Sequence, residues 1–372
     1  MNIAFYSVTP LWHPQEATTI TILQLARELK LRGHHLVIIA PEAEGQQKYP
    51  FVEGVPVFRF NYNGSFLRRM LAYPALLSKI QRETGILFEV IHSFSANPLF
   101  AGPALISKLI APRAGLIHTL KSYPRKEFPL SSLLLNFADI VTVPTPSHKS
   151  KIRMVKESKI KVVHSSIDTT KFKPLPKQKL RKKYNRKKML FYYGSMHEHK
   201  GIAVLIQALP LIKKEVPALK VVFAPRYKEI TKEKEMIKEF GAEGFTEFIT
   251  GDIPLLDYLN LAEAMVLPYT SLIATEGNPS CLLEGMACKT PVVTTELPEL
   301  QEIVIKDQDV LMAVPGDSLS LANQVVRLLK DRKLQQRLAG NAYQKVFNFD
   351  VKKIADEFLH LYAAVQKRRE SS

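Results

Sequence analysis

Two α/β domains, each built on a parallel sheet with helices on both faces, are what this sequence predicts, and three observations predict them. At 372 residues the chain is too long for one small core and suits two domains of ordinary size. Apolar residues make up 46% of it and charged residues 23%, the balance of a chain that is globular throughout. Short apolar strands alternate with helical periodicities along the whole length, the pattern of parallel strands joined by crossover helices.

In order, Asn2 to Val8 reads as the first strand, followed by the loop TPLWHPQEATT and a helix to about Arg32. That helix places Ile22, Leu25, Ala26 and Leu29 on one face, and Gly33 ends it. His35 to Ala40 is the second strand, so the chain opens with a βαβ unit of Rossmann type. Val57 to Phe60 is extended. Ser65 to Arg82, SFLRRMLAYPALLSKIQR, is basic and amphipathic and is broken by Pro74. It either packs Phe66, Met70 and Leu71 on the core or lies on a membrane surface with Arg68, Arg69 and Lys79 near anionic headgroups. Phe88 to Ser93 is a strand carrying His92, which is either a buried, hydrogen-bonded histidine or a site residue. Ala114 to Leu120 is the next strand and ends in Thr119-Leu120-Lys121, where Lys121 is either a solvated strand end or a cation for a ligand. Phe137 to Val143 is a buried strand, and a basic helix begins at Pro146.

Lys177 to Lys188, KQKLRKKYNRKK, is expected to be solvated; a single Tyr184 offers little for stacking on bases, so no nucleic-acid partner is expected. Met189 to Gly194 is a strand, Gly194 permits a tight turn, and Lys200 stands at the start of the apolar helix IAVLIQALPLI, where an anion would bind. Leu219 to Ala224 is a strand followed by Arg226. Phe245 to Thr250 is a strand, Leu255 to Leu261 a helix and Ala264 to Pro268 a strand; Leu319 to Leu329, Lys333 to Val346 and Phe349 to Gln366 are helices.

The stretch the chain is organised around is Thr275 to Thr294, TEGNPSCLLEGMACKTPVVT. Glu276 and Glu284 flank a Gly-Asn-Pro turn and the first turns of a helix. Backbone N–H groups around Gly277 and Asn278, with the positive end of the helix dipole, attract an anion, and the carboxylates can accept hydrogen bonds from hydroxyls. The pattern suits a phosphorylated, polyhydroxylated ligand.

This run resembles the E-x7-E signature of retaining, GT-B-fold glycosyltransferases of family 4, which often reads EGFPNVLLEAMACGTPVV. Glu276-Gly277, Pro279, Leu282-Leu283-Glu284, Met286-Ala287-Cys288 and Thr290-Pro291-Val292-Val293 match without a gap. Within Lys161 to Pro174, KVVHSSIDTTKFKP, Ile167-Asp168, Phe172 and Pro174 match the segment that ends the family's N-terminal half, which implies domains at 1–172 and 173–348 with a last helix in 349–372, and the resemblance covers nearly the whole chain. It implies two Rossmann-like domains facing across a cleft, with the last helix crossing back to the first, and sugar transfer from a nucleotide-sugar to a glycan or lipid-linked acceptor. It implies a donor site of Gly194, Ser195, Lys200, Glu276, Gly277, Asn278, Leu283 and Glu284, with Glu284 on the ribose and Glu276 on the donor sugar; Arg226, at the carboxyl end of a strand where open α/β sheets bind ligands, is added to it. His92, Thr119, Lys121 and Glu16 fall on the acceptor side, and Glu276, Lys200 and Lys121 lie nearest the chemistry. In this class the leaving phosphate takes the acceptor's proton, so no paired acid and base, and no metal or other cofactor, is expected.

Four departures from the family stand out. Glu16 and Ala17 replace a glycine pair in the first loop, Lys121 replaces a histidine, Phe94 replaces the second histidine after His92, and Ser195 replaces an arginine that pairs with the donor diphosphate. His197, His199 and Arg226 are candidates to supply the missing cation. An epimerase on the same fold, or a degenerate sugar-nucleotide-binding or membrane-surface scaffold, is the alternative.

The remaining composition narrows the class. Cys281 and Cys288 have no nearby histidine pair to complete a zinc site and fit core positions in a reducing cytoplasm. A net charge of +17 implies attraction to phosphates or to an anionic membrane. No run of eighteen apolar residues and no basic leader occurs, so neither a membrane span nor a signal peptide is expected; the protein is placed in the cytoplasm, with peripheral contact at the inner membrane face open to it.

Overall fold

The computed structural model describes all residues except 12–16, 43–50, 62–64, 123–131, 153, 186–187, 227–229, 274–277 and 371–372. The chain divides into two compact units, Met1–Ser166 with Asp350–Ser372, and Ile167–Ile273 with Asn278–Phe349.

The first unit is built on β1 (Asn2–Ser7), β2 (His35–Pro41), β3 (Phe51–Val52), β4 (Val55–Phe60), β5 (Val90–Ser95), β6 (Gly115–Leu120), β7 (Ile140–Val143) and β8 (Ile160–Val162). They lie in the order β3-β4-β2-β1-β5-β6-β7-β8, parallel except where the short β3 runs against β4. β1 and β5 are buried at every residue but Asn2, which explains why these strands read as apolar runs rather than as alternations. The helices Ala17–Leu31 and Val351–Glu370 cover one face, where Ile354, Phe358, Tyr362 and Val365 join Ile3, Phe5, Val90 and Ile117 in one core. The last helix thus completes the first unit.

The helix Phe66–Thr84 covers the other face and corrects two expectations. It runs unbroken through Pro74, because Tyr73, Leu77 and Ile80 are buried in the core and hold both halves on one axis. The Ser65 hydroxyl caps its start, accepting from the Arg68 amide at 3.4 Å, and Gly85 closes its end with a bond to the Gln81 carbonyl at 2.9 Å. Of the face expected to pack, Met70 is half-buried, Leu71 is 45% exposed and the Phe66 side chain lies outside those described, whereas Tyr73, Leu77 and Ile80 are buried.

The second unit is built on β9 (Met189–Gly194), β10 (Lys220–Pro225), β11 (Thr246–Phe248), β12 (Ala264–Val266), β13 (Val292–Thr295) and β14 (Leu311–Ala313), all parallel in the order β11-β10-β9-β12-β13-β14. The order reverses at β9, so a crevice opens beyond the carboxyl ends of β9 and β12, the place where such sheets bind ligands. Along β9 the period of two sends Phe191 and Tyr193 into the core on one face and Leu190 and Tyr192 into the core on the other. Most of Lys177–Lys188 is exposed, as expected, with Leu180 as the residue that anchors it. Lys177–Tyr184 is a helix whose Leu180 is buried, whose Lys177 and Arg181 both pair with Glu263, and whose Lys183 pairs with Asp257 at 2.7 Å. The stem of the helix covers apolar surface while its cations find acids on the elements beneath.

Candidate active site

The carboxyl end of β9 is shaped by glycine. Gly194 has φ 144°, and beyond it the Tyr192 hydroxyl donates to the Ser195 carbonyl at 2.6 Å. Five residues on, Lys200 ends a single turn, Glu198–Lys200, and Gly201 follows with φ 72°. A Cβ at Gly201 would lie 1.7 Å from the Pro268 carbonyl oxygen, so only glycine lets the chain pass there. The Thr270 amide donates to the His199 carbonyl at 3.0 Å, and the Lys200 ammonium sits 4.9 Å from the centre of the Tyr269 ring. The start of the helix Ile202–Glu215 is therefore seated on the chain leaving β12.

Glu284 lies in the helix Ser280–Ala287, which is buried from Cys281 to Ala287 and has no other charged side chain. It is 3% exposed, and its Oε2 has no hydrogen-bond partner among the described residues. Burial pushes its pKa up to about 7, against the pull of Arg226 and then Lys171. An ionisable group kept buried with an orphaned oxygen is costly to the fold and is a mark of a binding site. Arg226 follows β10, and its guanidinium donates to the Tyr193 hydroxyl, whose own pKa burial pushes up. Cys281 and Cys288 are free thiols whose pKa burial pushes up to about 12, so both are packing residues.

Gly194, Ser195, Lys200, Arg226, Asn278 and Glu284 are all in the second unit. Asn278 is fully buried, and Leu283 lies in the core with its amide donating to the Pro279 carbonyl at 3.4 Å. Glu276, Gly277 and Glu16 lie outside the described residues. His197 and His199 stack on each other with ring centroids 5.6 Å apart. Among the described residues no three His, Cys, Asp or Glu side chains gather as metal ligands would.

In the first unit the structure resolves the two readings of His92. Its Nδ1 meets the Tyr362 hydroxyl at 2.7 Å and its Nε2 the Thr119 hydroxyl at 2.6 Å, and Thr119 in turn meets the Thr142 hydroxyl at 2.6 Å. Both side chains are committed to this internal network, and burial holds the His92 pKa well below its usual value, with His118 and Lys121 adding to it. Lys121 is no solvated strand end. It is 3% exposed, and its ammonium donates to the hydroxyls of Thr21 at 3.0 Å and Ser165 at 3.2 Å. Tyr193 and Tyr269, which place the two cations of the second unit, carry no signal in the sequence beyond their apolar strands.

Two Rossmann-type units, the second bearing a buried carboxylate and two cations at the end of its sheet, define a glycosyltransferase of the GT-B fold. Residues 176–345 match the family described as Glycosyl transferases group 1, and residues 18–171 match Glycosyltransferase Family 4. The chain belongs to these group 1, family 4 glycosyltransferases. It is 24% identical over 362 residues to the N-acetyl-alpha-D-glucosaminyl L-malate synthase of Bacillus anthracis, with 91% of each chain covered. It is also 24% identical over 367 residues to the phosphatidyl-myo-inositol mannosyltransferase of Mycolicibacterium smegmatis, covering 92% of this chain and 89% of that one. Anabaena Alr3699/HepE, solved in complex with UDP and glucose, shares the fold with a TM-score of 0.81 at 18% identity, over 98% of this chain and 100% of that one.

Proposed function

We propose that this glycosyltransferase takes its sugar from a nucleotide-sugar and transfers it with retention at the anomeric carbon. The observation that carries the reading is the Glu284 carboxylate, buried with an orphaned oxygen in the helix Ser280–Ala287. In this reading Glu284 accepts hydrogen bonds from the ribose hydroxyls and Glu276 from hydroxyls of the donor sugar. Lys200 and the amides at Gly277 and Asn278 meet the charge that grows on the leaving phosphate, which removes the acceptor's proton. Stabilising charge on the departing group is worth about 10²-fold or more in rate per donor group. No metal enters the scheme. The binding of UDP and glucose by Alr3699/HepE supports the donor class.

The acceptor proposed is a glycan or lipid-linked sugar bound by the first unit. Lys121, at the carboxyl end of β6, would direct a cation toward an acidic group on it. Exposed Leu67 and Leu71 beside Arg68 support peripheral contact with an anionic bilayer, and among the described residues no helix is long and apolar enough to cross one. The test is a screen of UDP-, GDP- and ADP-sugars for saturable binding and for transfer to lipid-linked and free acceptors. Binding of one sugar-nucleotide that Glu284→Ala removes is expected; binding of none of them would refute the reading.

A further inference from the structure

We propose that Arg226 supplies, from the neighbouring strand, the diphosphate-facing cation that position 195 lacks, an inference that rests on the nucleotide-sugar reading above. The register of the sheet makes the case. Pro225 on β10 pairs with Gly194 on β9, and the Arg226 amide continues that ladder by donating to the Gly194 carbonyl at 2.9 Å. Arg226 thus stands beside Ser195 at the ends of adjacent parallel strands. Such strands lie about 4.8 Å apart, so a guanidinium rooted one residue beyond the Pro225–Gly194 pair is within reach of the space beyond position 195.

The side chain is aimed and held there. Its guanidinium donates to the Tyr193 hydroxyl and lies within electrostatic reach of Glu284. The Arg226 Nε is buried and, like the Glu284 Oε2, has no hydrogen-bond partner among the described residues. A cationic N–H and a carboxylate oxygen orphaned in one cluster call for a ligand that offers an acceptor to the first and a donor to the second. A nucleoside diphosphate carries both, phosphate oxygens and ribose hydroxyls, in one molecule. Arginine suits the task because its planar fork can hold two phosphate oxygens while a third N–H stays on Tyr193. His197 and His199, the other candidates, stack on each other.

The competing role is structural: Arg226 could act only as counter-charge to Glu284, in which case its loss would weaken every ligand bearing a ribose. Calorimetric titration of the intact protein with UDP, GDP and ADP and with the matching monophosphates separates the two. The readout is the ratio of diphosphate to monophosphate affinity for the base that binds. Arg226→Gln is expected to lower that ratio about 10-fold or more, the usual effect of losing hydrogen bonds to a charged group. Adding Ser195→Arg to that variant is expected to recover the ratio. Tyr193→Phe, which removes only a hydroxyl, is expected to lower it about 3-fold by releasing the guanidinium. An unchanged ratio in Arg226→Gln, or in Tyr193→Phe should the first variant not fold, overturns the proposal. A ratio still depressed in the double variant overturns the claim that positions 195 and 226 address one phosphate. If the unaltered protein binds none of the diphosphates, it is the nucleotide-sugar reading itself that falls.

Discussion

Replacing Glu284 with glutamine removes a carboxylate that the fold keeps buried, and the consequence can be worked from its pKa. An ordinary glutamate titrates near 4.5, whereas Glu284 titrates at about 7 because burial disfavours its charge. Between those values the native protein holds a proton that the unfolded chain has released. Stability therefore falls as pH rises through this window, by about 1.4 kcal/mol per pH unit and about 3 kcal/mol in all, and is flat above it. Glutamine does not titrate. It also leaves an orphaned amide where the oxygen was, at a cost of about 1–3 kcal/mol that does not depend on pH. The absolute stability of Glu284→Gln is thus a poor readout, and its difference from the unaltered protein as a function of pH is a good one. Urea unfolding of the ligand-free protein, followed from pH 4 to pH 8.5, should show the variant gaining about 3 kcal/mol relative to the unaltered protein between the two ends. In thermal unfolding this corresponds to roughly 5–10 °C for a unit of this size. Parallel stability curves for the two proteins would refute the buried-carboxylate account.

Gly201→Ala should destabilise the second unit by more than about 3 kcal/mol in urea unfolding, since the new methyl meets the Pro268 carbonyl and φ is 72°. His118 is buried between the Ser93 and Ser95 hydroxyls, and burial lowers its pKa to about 3. Its share of stability is whole above its ordinary 6.5 and is lost as pH falls toward 3, so His118→Gln should flatten the acid limb of the unfolding curve by about 1.4 kcal/mol per pH unit. Lys121→Met should lower turnover with an acidic acceptor more than with a neutral one, as read by kcat/KM for the two. Leu67→Asp with Leu71→Asp should weaken sedimentation with anionic vesicles at low salt, and undiminished binding would detach that helix from the membrane.

How far the sequence told all this depended on whether a local signal existed. The βα alternation and the run from Glu276 to Val293 made the fold and the place of Glu284 legible, because apolar periodicity and the turn before the helix are written in neighbouring residues. Pro74 misled because its cost is local while the gain that offsets it is the tertiary burial of Tyr73, Leu77 and Ile80. The basic run from Lys177 is exposed as its composition indicates, but its acids, Asp257 and Glu263, arrive from more than 70 residues away and carry no local signal. His92 reads from the sequence as either a buried, hydrogen-bonded histidine or a site residue, and the hydroxyls of Tyr362 and Thr119 that hold it come from the last helix and from β6. The nearness of Arg226 to the end of β9 is a matter of strand register, through the Pro225–Gly194 pair, which no single strand discloses.

The account turns most directly on one titration: the protein and its Glu284→Ala variant against UDP, GDP and ADP by calorimetry. It predicts saturable binding of one of the three to the unaltered protein, weakened at least about 10-fold in a variant that still folds, the scale of a lost charged hydrogen-bond acceptor. Equal binding by both proteins would contradict it.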